Sequence, residues 1–248
     1  MEWNDWHARI WRGRGNPAAG ARAAIPTGFH ELDRSLPGGG WPIGAITEVL
    51  VDGYGIGELS LLMPALAALT KDDPARRQKW VAWVAPPFVP YAPALQQHGV
   101  NVDRLLMIHP TSGNKSRLWA IEQAVRSGSS VGVLAWVGAV ADAGMEARGR
   151  TTQGAVVDDV ILRRLQLAAE DQGCWLLLFR PASARLQRSP AALRILLSKA
   201  QSPAHSAASV PAAATRVEIV KCRGGRPGIV EVAGFALDSA STPRALRQ

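Results

Sequence analysis

The stretch 48–62 constrains this chain most: an apolar run, three glycines at alternate positions, and a second apolar run. A strand, a glycine-rich turn and a helix N-terminus make up the layout of a phosphate-binding loop. A working loop has the pattern G-x-x-x-x-G-K-[ST], in which the lysine reaches the phosphates and the hydroxyl binds Mg²⁺. Gly57 can serve as the last glycine of this pattern. However, Glu58 stands at the lysine position, Leu59 at the hydroxyl position, and Asp52 where the first glycine should be.

Electrostatics argue against nucleotide binding by this stretch. Two like charges about 4 Å apart repel by roughly 1 kcal/mol in water and by about 4 kcal/mol at an effective dielectric constant of 20. A helix N-terminus attracts an anion by only about 0.3–1 kcal/mol, and by up to roughly 2 in favourable cases. We therefore interpret the stretch as a nucleotide-binding scaffold that no longer binds nucleotide, and we expect no cofactor. The residues of this degenerate phosphate loop are Asp52, Gly53, Gly55, Gly57 and Glu58. An ordinary glycine turn is the alternative.

The composition is that of a folded protein with a substantial core, since 47% of the 248 residues are hydrophobic. No apolar run reaches the roughly 18–20 residues of a membrane span. The N-terminus places tryptophans among charges, which a signal peptide does not. Cys174 and Cys222 lie in or beside apolar runs, which favours reduced thiols in a cytoplasmic protein over a disulfide. Their spacing does not indicate a metal site.

The net charge of +8 is concentrated in the C-terminal third of the chain. Residues 163–248 contain 13 of the 28 basic residues but only 5 of the 20 acidic ones. This asymmetry favours an acidic partner, either nucleic acid or an acidic protein surface. A contribution to solubility alone is the alternative.

The first 15 residues predict a short amphipathic helix. Its apolar side could bind another protein or pack on the body of this chain. The candidate partner-binding residues are Trp3, Trp6, Ile10 and Trp11. A Gly/Pro/Ala-rich linker follows, so we divide the chain into a helix and linker (1–24), a core domain (25–238) and a flexible tail (239–248).

Apolar runs bounded by breakers predict buried parallel strands, and amphipathic segments between them predict helices. The strands are expected at 80–85, 130–137 and 174–179, and the helices at 59–69, 91–98, 115–127 and 156–172. Pro64 is expected to kink the first of these helices or end it early. Residues 191–197 fit a strand or a short helix, and 215–225 fits an edge or antiparallel strand that pairs with 229–237. The fold class is therefore α/β, with a mostly parallel central sheet and helices on both faces.

The segment 25–48 has the pattern I-x-T-G-x-x-x-L-D-x-x-L-x-x-G-G-x-P-x-G-x-I-x-E. It resembles the segment that leads into the phosphate loop of RecA-type recombinases. The T-R-V-x-x-V-K stretch at 215–221 resembles a RecA core strand as well. The resemblance implies a RecA-like three-layer core with a degenerate phosphate loop.

Departures from the RecA pattern predict that the chain is not an enzyme. In the RecA core, one strand ends in an acidic residue that activates water, and a later strand ends in the Walker-B aspartate. Here the first of these strands ends in Ala-Pro-Pro-Phe (85–88) and the second in Leu-Ala-Trp-Val-Gly (134–138). Neither contains a group that could act as a general base.

Two loops that line the DNA-binding axis in the RecA resemblance are basic in this chain. The first spans 138–154, and loops of this length are usually functional or disordered. The second follows the strand at 174–179. The candidate contacts to DNA or to an acidic partner are Arg148, Arg150, Arg180, Arg185 and Arg188. A solvated loop is the alternative for the second segment.

Several further motifs resemble the ImuA family, over most of residues 25–237. Among them are L-P-G-G-G-W-P-x-G at 36–44, W-x-A-P-P-x-x-P-Y-A-P-A-L at 83–95 and K-C-R-G-G at 221–225. This resemblance implies an SOS-induced accessory factor of translesion DNA synthesis and mutagenesis that acts through protein–protein contacts. The implied partners are an ImuB-type Y-family-like protein and an error-prone DnaE-type polymerase. RecA, DNA and a second copy of the chain are further candidates.

Two other functions stay open at this point. One is a SulA-like inhibitor of cell division that binds FtsZ, although SulA is the shorter protein. The other is a recombinase paralogue with residual binding of ATP or DNA.

Overall fold

The computed structural model describes residues 23–72, 79–110, 113–138, 157–200 and 214–233. The predicted N-terminal helix, the predicted tail and most of the 138–154 loop lie outside these ranges.

The described residues form ten strands and five α-helices. The strands are β1 (Ala24–Ile25), β2 (Trp41–Pro42), β3 (Ala45–Val51), β4 (Trp80–Val84), β5 (Leu105–Ile108), β6 (Ser130–Trp136), β7 (Trp175–Pro181), β8 (Leu193–Lys199), β9 (Thr215–Cys222) and β10 (Gly228–Val232). The α-helices are α1 (His30–Ser35), α2 (Met63–Thr70), α3 (Ala92–Gln97), α4 (Gly113–Arg126) and α5 (Asp159–Gln172). Short 3-10 helices span Ser60–Leu62, Val102–Arg104 and Ala182–Leu186.

Eight of the strands form one sheet in the order β10-β9-β8-β3-β7-β6-β4-β5. The six strands from β8 to β5 are parallel, whereas β9 and β10 are antiparallel to their neighbours. β3 is inside the sheet, between β7 and β8. The predicted α/β class with a mostly parallel sheet is confirmed.

Side chains that alternate along the strands build a core on each face of this sheet. On β7, Trp175 and Phe179 pack on the side of α1 and α2, whereas Leu176 and Leu178 pack on the side of α4 and α5. Each such large apolar side chain contributes about 1.5–3 kcal/mol when fully buried. The expectation of helices on both faces is confirmed. Both faces of β7 are buried because helices cover them, which is why its sequence is a continuous apolar run.

Pro64 corrects one sequence expectation. The proline lies in the first turn of α2, where its missing N–H has no intrahelical partner to lose. It therefore starts the helix and does not kink it. The α-helix begins at Met63, after the 3-10 turn at Ser60–Leu62, and not directly after the glycines.

The two cysteines are not joined in a disulfide, as predicted. Cys174 is fully buried, and burial raises the pKa of its thiol to about 12. Within the described ranges, no helix has the length and apolar character needed to cross a membrane.

Candidate functional site

The loop formed by residues 52–59, here called the glycine loop, follows the carboxyl end of β3. In open α/β sheets, ligands bind outside the carboxyl ends of parallel strands. Gly55 and Gly57 have φ values of 77° and 97°, which favour glycine over any other residue. Tyr54 and Ile56 pack against the core on the α2 side of the sheet. The glycine loop therefore lies where a ligand site is expected, on the α2 face.

The carboxylate of Glu58 binds two backbone N–H groups of the glycine loop. Its Oε1 accepts a hydrogen bond from the Gly55 N–H at 2.9 Å, and its Oε2 accepts one from the Ile56 N–H at 2.9 Å. Glu58 is only 8% exposed. Hydrogen bonds to a charged group are worth about 1.5–3 kcal/mol each. Glu58 thus places a carboxylate of the chain itself against two N–H groups of the glycine loop.

Thr215 on β9 also binds the glycine loop, through the carbonyl of Ile56. Its Oγ1 donates a hydrogen bond to the Ile56 carbonyl at 3.0 Å, and the residue is buried. A Cβ placed on Gly57 would lie 2.2 Å from this oxygen. Glycine at position 57 is therefore required both by its φ and by the close approach of β9.

An aromatic ring from the segment after β4 packs on the glycine loop. Ala85 follows β4 with a φ of 54°, and the buried Val137 follows β6. The rings of Tyr54 and Phe88 meet edge to face with 6.0 Å between their centroids. In the described part of the chain, the residues directly after β4 (85–88) and β6 (137–138) are alanine, proline, phenylalanine, valine and glycine.

A buried ionic cluster crosses the central strands. Glu48 on β3 is fully buried. Its Oε1 accepts hydrogen bonds from Arg180 Nη1 at 2.8 Å and from Ser189 Oγ at 2.7 Å. Its Oε2 accepts one from Arg194 Nε at 2.7 Å. Arg194 also donates to the carbonyl of Ala184 at 2.7 Å, so the cluster ties the segment after β7 to the sheet.

Arg180 requires a correction, since the sequence suggested it as a contact to DNA or to an acidic partner. It is 2% exposed, and its guanidinium is bound to Glu48 and, at 2.6 Å, to Gln187 Oε1. Its burial removes it from the candidate surface. The structural role of Arg194 was missed entirely. The signal that could have found it is a charged residue inside an otherwise apolar strand, as in the Leu-Arg-Ile-Leu-Leu stretch of β8.

The other candidate residues differ in their surroundings. Arg185 is exposed and paired with Glu218, with Nη2 2.5 Å from Oε1. Arg188 is exposed as well. The remaining candidates lie outside the described residues: Trp3, Trp6, Ile10, Trp11, Arg148 and Arg150.

Arg188 borders a cavity of about 460 Å³, here called the cationic pocket. Its lining residues are Asp159, Arg163, Gln187, Arg188, Ser189, Pro190, Arg194 and Lys221. Asp159 and Arg163 lie at the start of α5, so the pocket is on the α5 face of the sheet, opposite the glycine loop. Burial and the nearby charge of Arg194 lower the pKa of Lys221.

In the described part of the chain, no group of three His, Cys, Asp or Glu residues could hold a metal ion.

Comparison of the sequence with known proteins shows the family of the chain. No protein-family model matches the chain. Curated proteins named "Protein ImuA" from two strains of Caulobacter vibrioides are each 31% identical to it over 230 residues. The match covers 85% of this chain and 84% of each relative. It therefore extends over most of the length of each protein, and the chain belongs to the ImuA family.

Proposed function

We propose that the chain is a non-catalytic, RecA-like accessory protein of SOS-induced translesion DNA synthesis. It acts through contacts with an ImuB-type Y-family-like protein and an error-prone DnaE-type polymerase. RecA and DNA are further candidate partners. Membership of the ImuA family supports the pathway. The observation that carries the non-catalytic role is the Glu58 carboxylate bound within its own glycine loop.

The occupied loop supports this role for a quantitative reason. A phosphate group would have to displace Glu58 from two charge-assisted hydrogen bonds, each worth about 1.5–3 kcal/mol. The helix N-terminus offers at most roughly 2 kcal/mol in return, and the lysine that would add attraction is replaced. Asp52 adds a further negative charge to the same loop. The degenerate loop is thus a structural element that keeps the RecA-like shape without the nucleotide.

Nucleotide titration tests the non-catalytic part of the proposal. We expect the unmodified chain to bind Mg²⁺–ATP with a Kd above about 1 mM, which corresponds to less than about 4 kcal/mol of binding free energy. The Glu58→Lys variant should bind more tightly, because it removes the internal anion and restores the attractive charge. Calorimetry with both proteins is the measurement. Micromolar binding or hydrolysis of ATP by the unmodified chain would favour the residual recombinase instead.

Capture from cells tests the proposed partners. A tagged copy of the full chain should recover the Y-family-like protein and the error-prone polymerase from DNA-damaged cells. A tag without the chain is the control. Each contact is then repeated with purified proteins to separate direct binding from co-capture. Recovery of FtsZ in place of the polymerase partners would contradict the proposal and support the division inhibitor.

A further inference from the structure

The cationic pocket has more positive charge than the described residues around it can balance. Its lining contains four basic side chains but one carboxylate, that of Asp159. The Asp159 carboxylate already accepts a hydrogen bond from Arg163 Nε at 2.8 Å. The carboxylate of Glu48, which lies behind the pocket, is shared between Arg180 and Arg194. Within the described ranges, Arg188 and Lys221 form no ion pair.

The basic groups differ in how many hydrogen-bond donors they leave for a ligand. The guanidinium of Arg194 donates hydrogen bonds to Glu48 and to backbone carbonyls. Arg194 therefore contributes positive charge and a fixed part of the pocket wall. Lys221 Nζ donates to the Ser189 carbonyl at 2.8 Å, which leaves two of its three N–H groups. Arg188 donates no hydrogen bond to a described residue, and Arg163 uses only Nε. Free donors therefore come from three side chains on three separate segments.

The positions of these donors on three different elements indicate the shape of the ligand. Arg163 projects from α5, Arg188 from the segment after β7, and Lys221 from β9. Donors on three sides suit a tetrahedral group with three acceptor oxygens better than a planar carboxylate. Arginine binds phosphate through paired N–H groups, and lysine binds it as a point charge. The cavity of about 460 Å³ has room for a phosphate group with a substituent.

We propose that the cationic pocket binds a phosphate group through Arg163, Arg188 and Lys221. The pocket lies on the α5 face, away from the glycine loop, so the site is separate from the degenerate phosphate loop. The inference does not depend on the proposed accessory function. The phosphate group belongs either to a nucleic-acid strand or to a free phosphate compound, and the two sources are distinguished below.

The test uses the full chain and two probes. Pyrophosphate represents free phosphate compounds, and single-stranded oligonucleotides with and without a 5′-phosphate represent nucleic acid. Binding of pyrophosphate is followed by calorimetry at constant ionic strength, and binding of the oligonucleotides by fluorescence anisotropy. The variants are Arg188→Gln and Lys221→Gln, alone and combined. Lys199→Gln on β8 is the matched control, because it removes one exposed positive charge outside the pocket.

We expect the double variant to bind at least one probe about tenfold more weakly, while Lys199→Gln binds it nearly as the unmodified chain does. A loss for pyrophosphate identifies free phosphate as a sufficient ligand. A loss confined to oligonucleotides identifies nucleic acid, and dependence on the 5′-phosphate distinguishes a strand end from the backbone. The proposal is overturned if neither probe binds, or if binding is the same in the pocket variants and the control. Arg188→Gln alters an exposed side chain, so it keeps the test valid should Lys221→Gln fail to fold.

Discussion

Replacing Glu48 by glutamine is expected to lower the free energy of unfolding by about 3–5 kcal/mol, the range found when one partner of a buried ion pair is removed. The variant keeps the size of the side chain but leaves the guanidiniums of Arg180 and Arg194 buried without a counter-charge. A domain of ordinary stability has only about 5–15 kcal/mol in total. Chemical denaturation followed by circular dichroism measures the change.

Glu218→Gln is the matched control for this substitution. It makes the same chemical change in the half-buried carboxylate that pairs with the exposed Arg185 and stays in contact with solvent. Surface ion pairs are worth about 0–1 kcal/mol because water and salt screen them. Equal losses in the two variants would show that Glu48 is not the central charge of the buried cluster.

The buried cluster shows why part of this structure could not be predicted. In the sequence, Arg180 follows an apolar run and precedes a basic segment, so local pattern predicts the first residue of an exposed loop, although Arg180 lies within β7. Its partner Glu48 is 132 positions away in the sequence. Only the order of the strands, with β3 between β7 and β8, brings the two side chains together. Local pattern contains no information on that order.

The parallel strands, in contrast, could be predicted because the information is local. Runs such as Trp-Val-Ala-Trp-Val on β4 are apolar at consecutive positions, which is the signature of a strand covered on both faces. The sequence predicts the start of α2 several residues too early, because helix propensity does not distinguish the 3-10 turn at Ser60–Leu62 from the α-helix that follows it.

The structure of the glycine loop could be predicted only in part. The sequence predicted that Glu58 replaces the lysine of a phosphate loop and repels an anion. It could not predict that the carboxylate turns back onto the Gly55 and Ile56 N–H groups. That contact depends on the backbone path of the loop, and Thr215 of β9 helps to set this path from 159 positions away along the chain.

Replacing Gly57 by alanine is expected to destabilise the protein by about 3 kcal/mol, from two separate causes. A backbone held at a φ of 97° costs a residue with a Cβ about 1–3 kcal/mol. The new Cβ would also lie 2.2 Å from Thr215 Oγ1, and overpacking of this kind costs typically 1–3 kcal/mol. Thermal and chemical denaturation measure the sum. Gly53→Ala, in the same loop, has open space around its Cβ and no positive φ, so it should change stability by less than about 1 kcal/mol.

A double-mutant cycle with Thr215→Ala separates the two causes. Thr215→Ala removes the oxygen that the new Cβ would meet, so the second substitution should recover the steric part of the Gly57→Ala loss and leave the backbone part. It also removes the hydrogen bond to the Ile56 carbonyl, which holds the loop closed around Glu58. If Gly57→Ala were as harmless as Gly53→Ala, β9 would not hold the loop in this conformation. The carboxylate of Glu58 would then be free to leave its donors, and only its negative charge would oppose nucleotide binding.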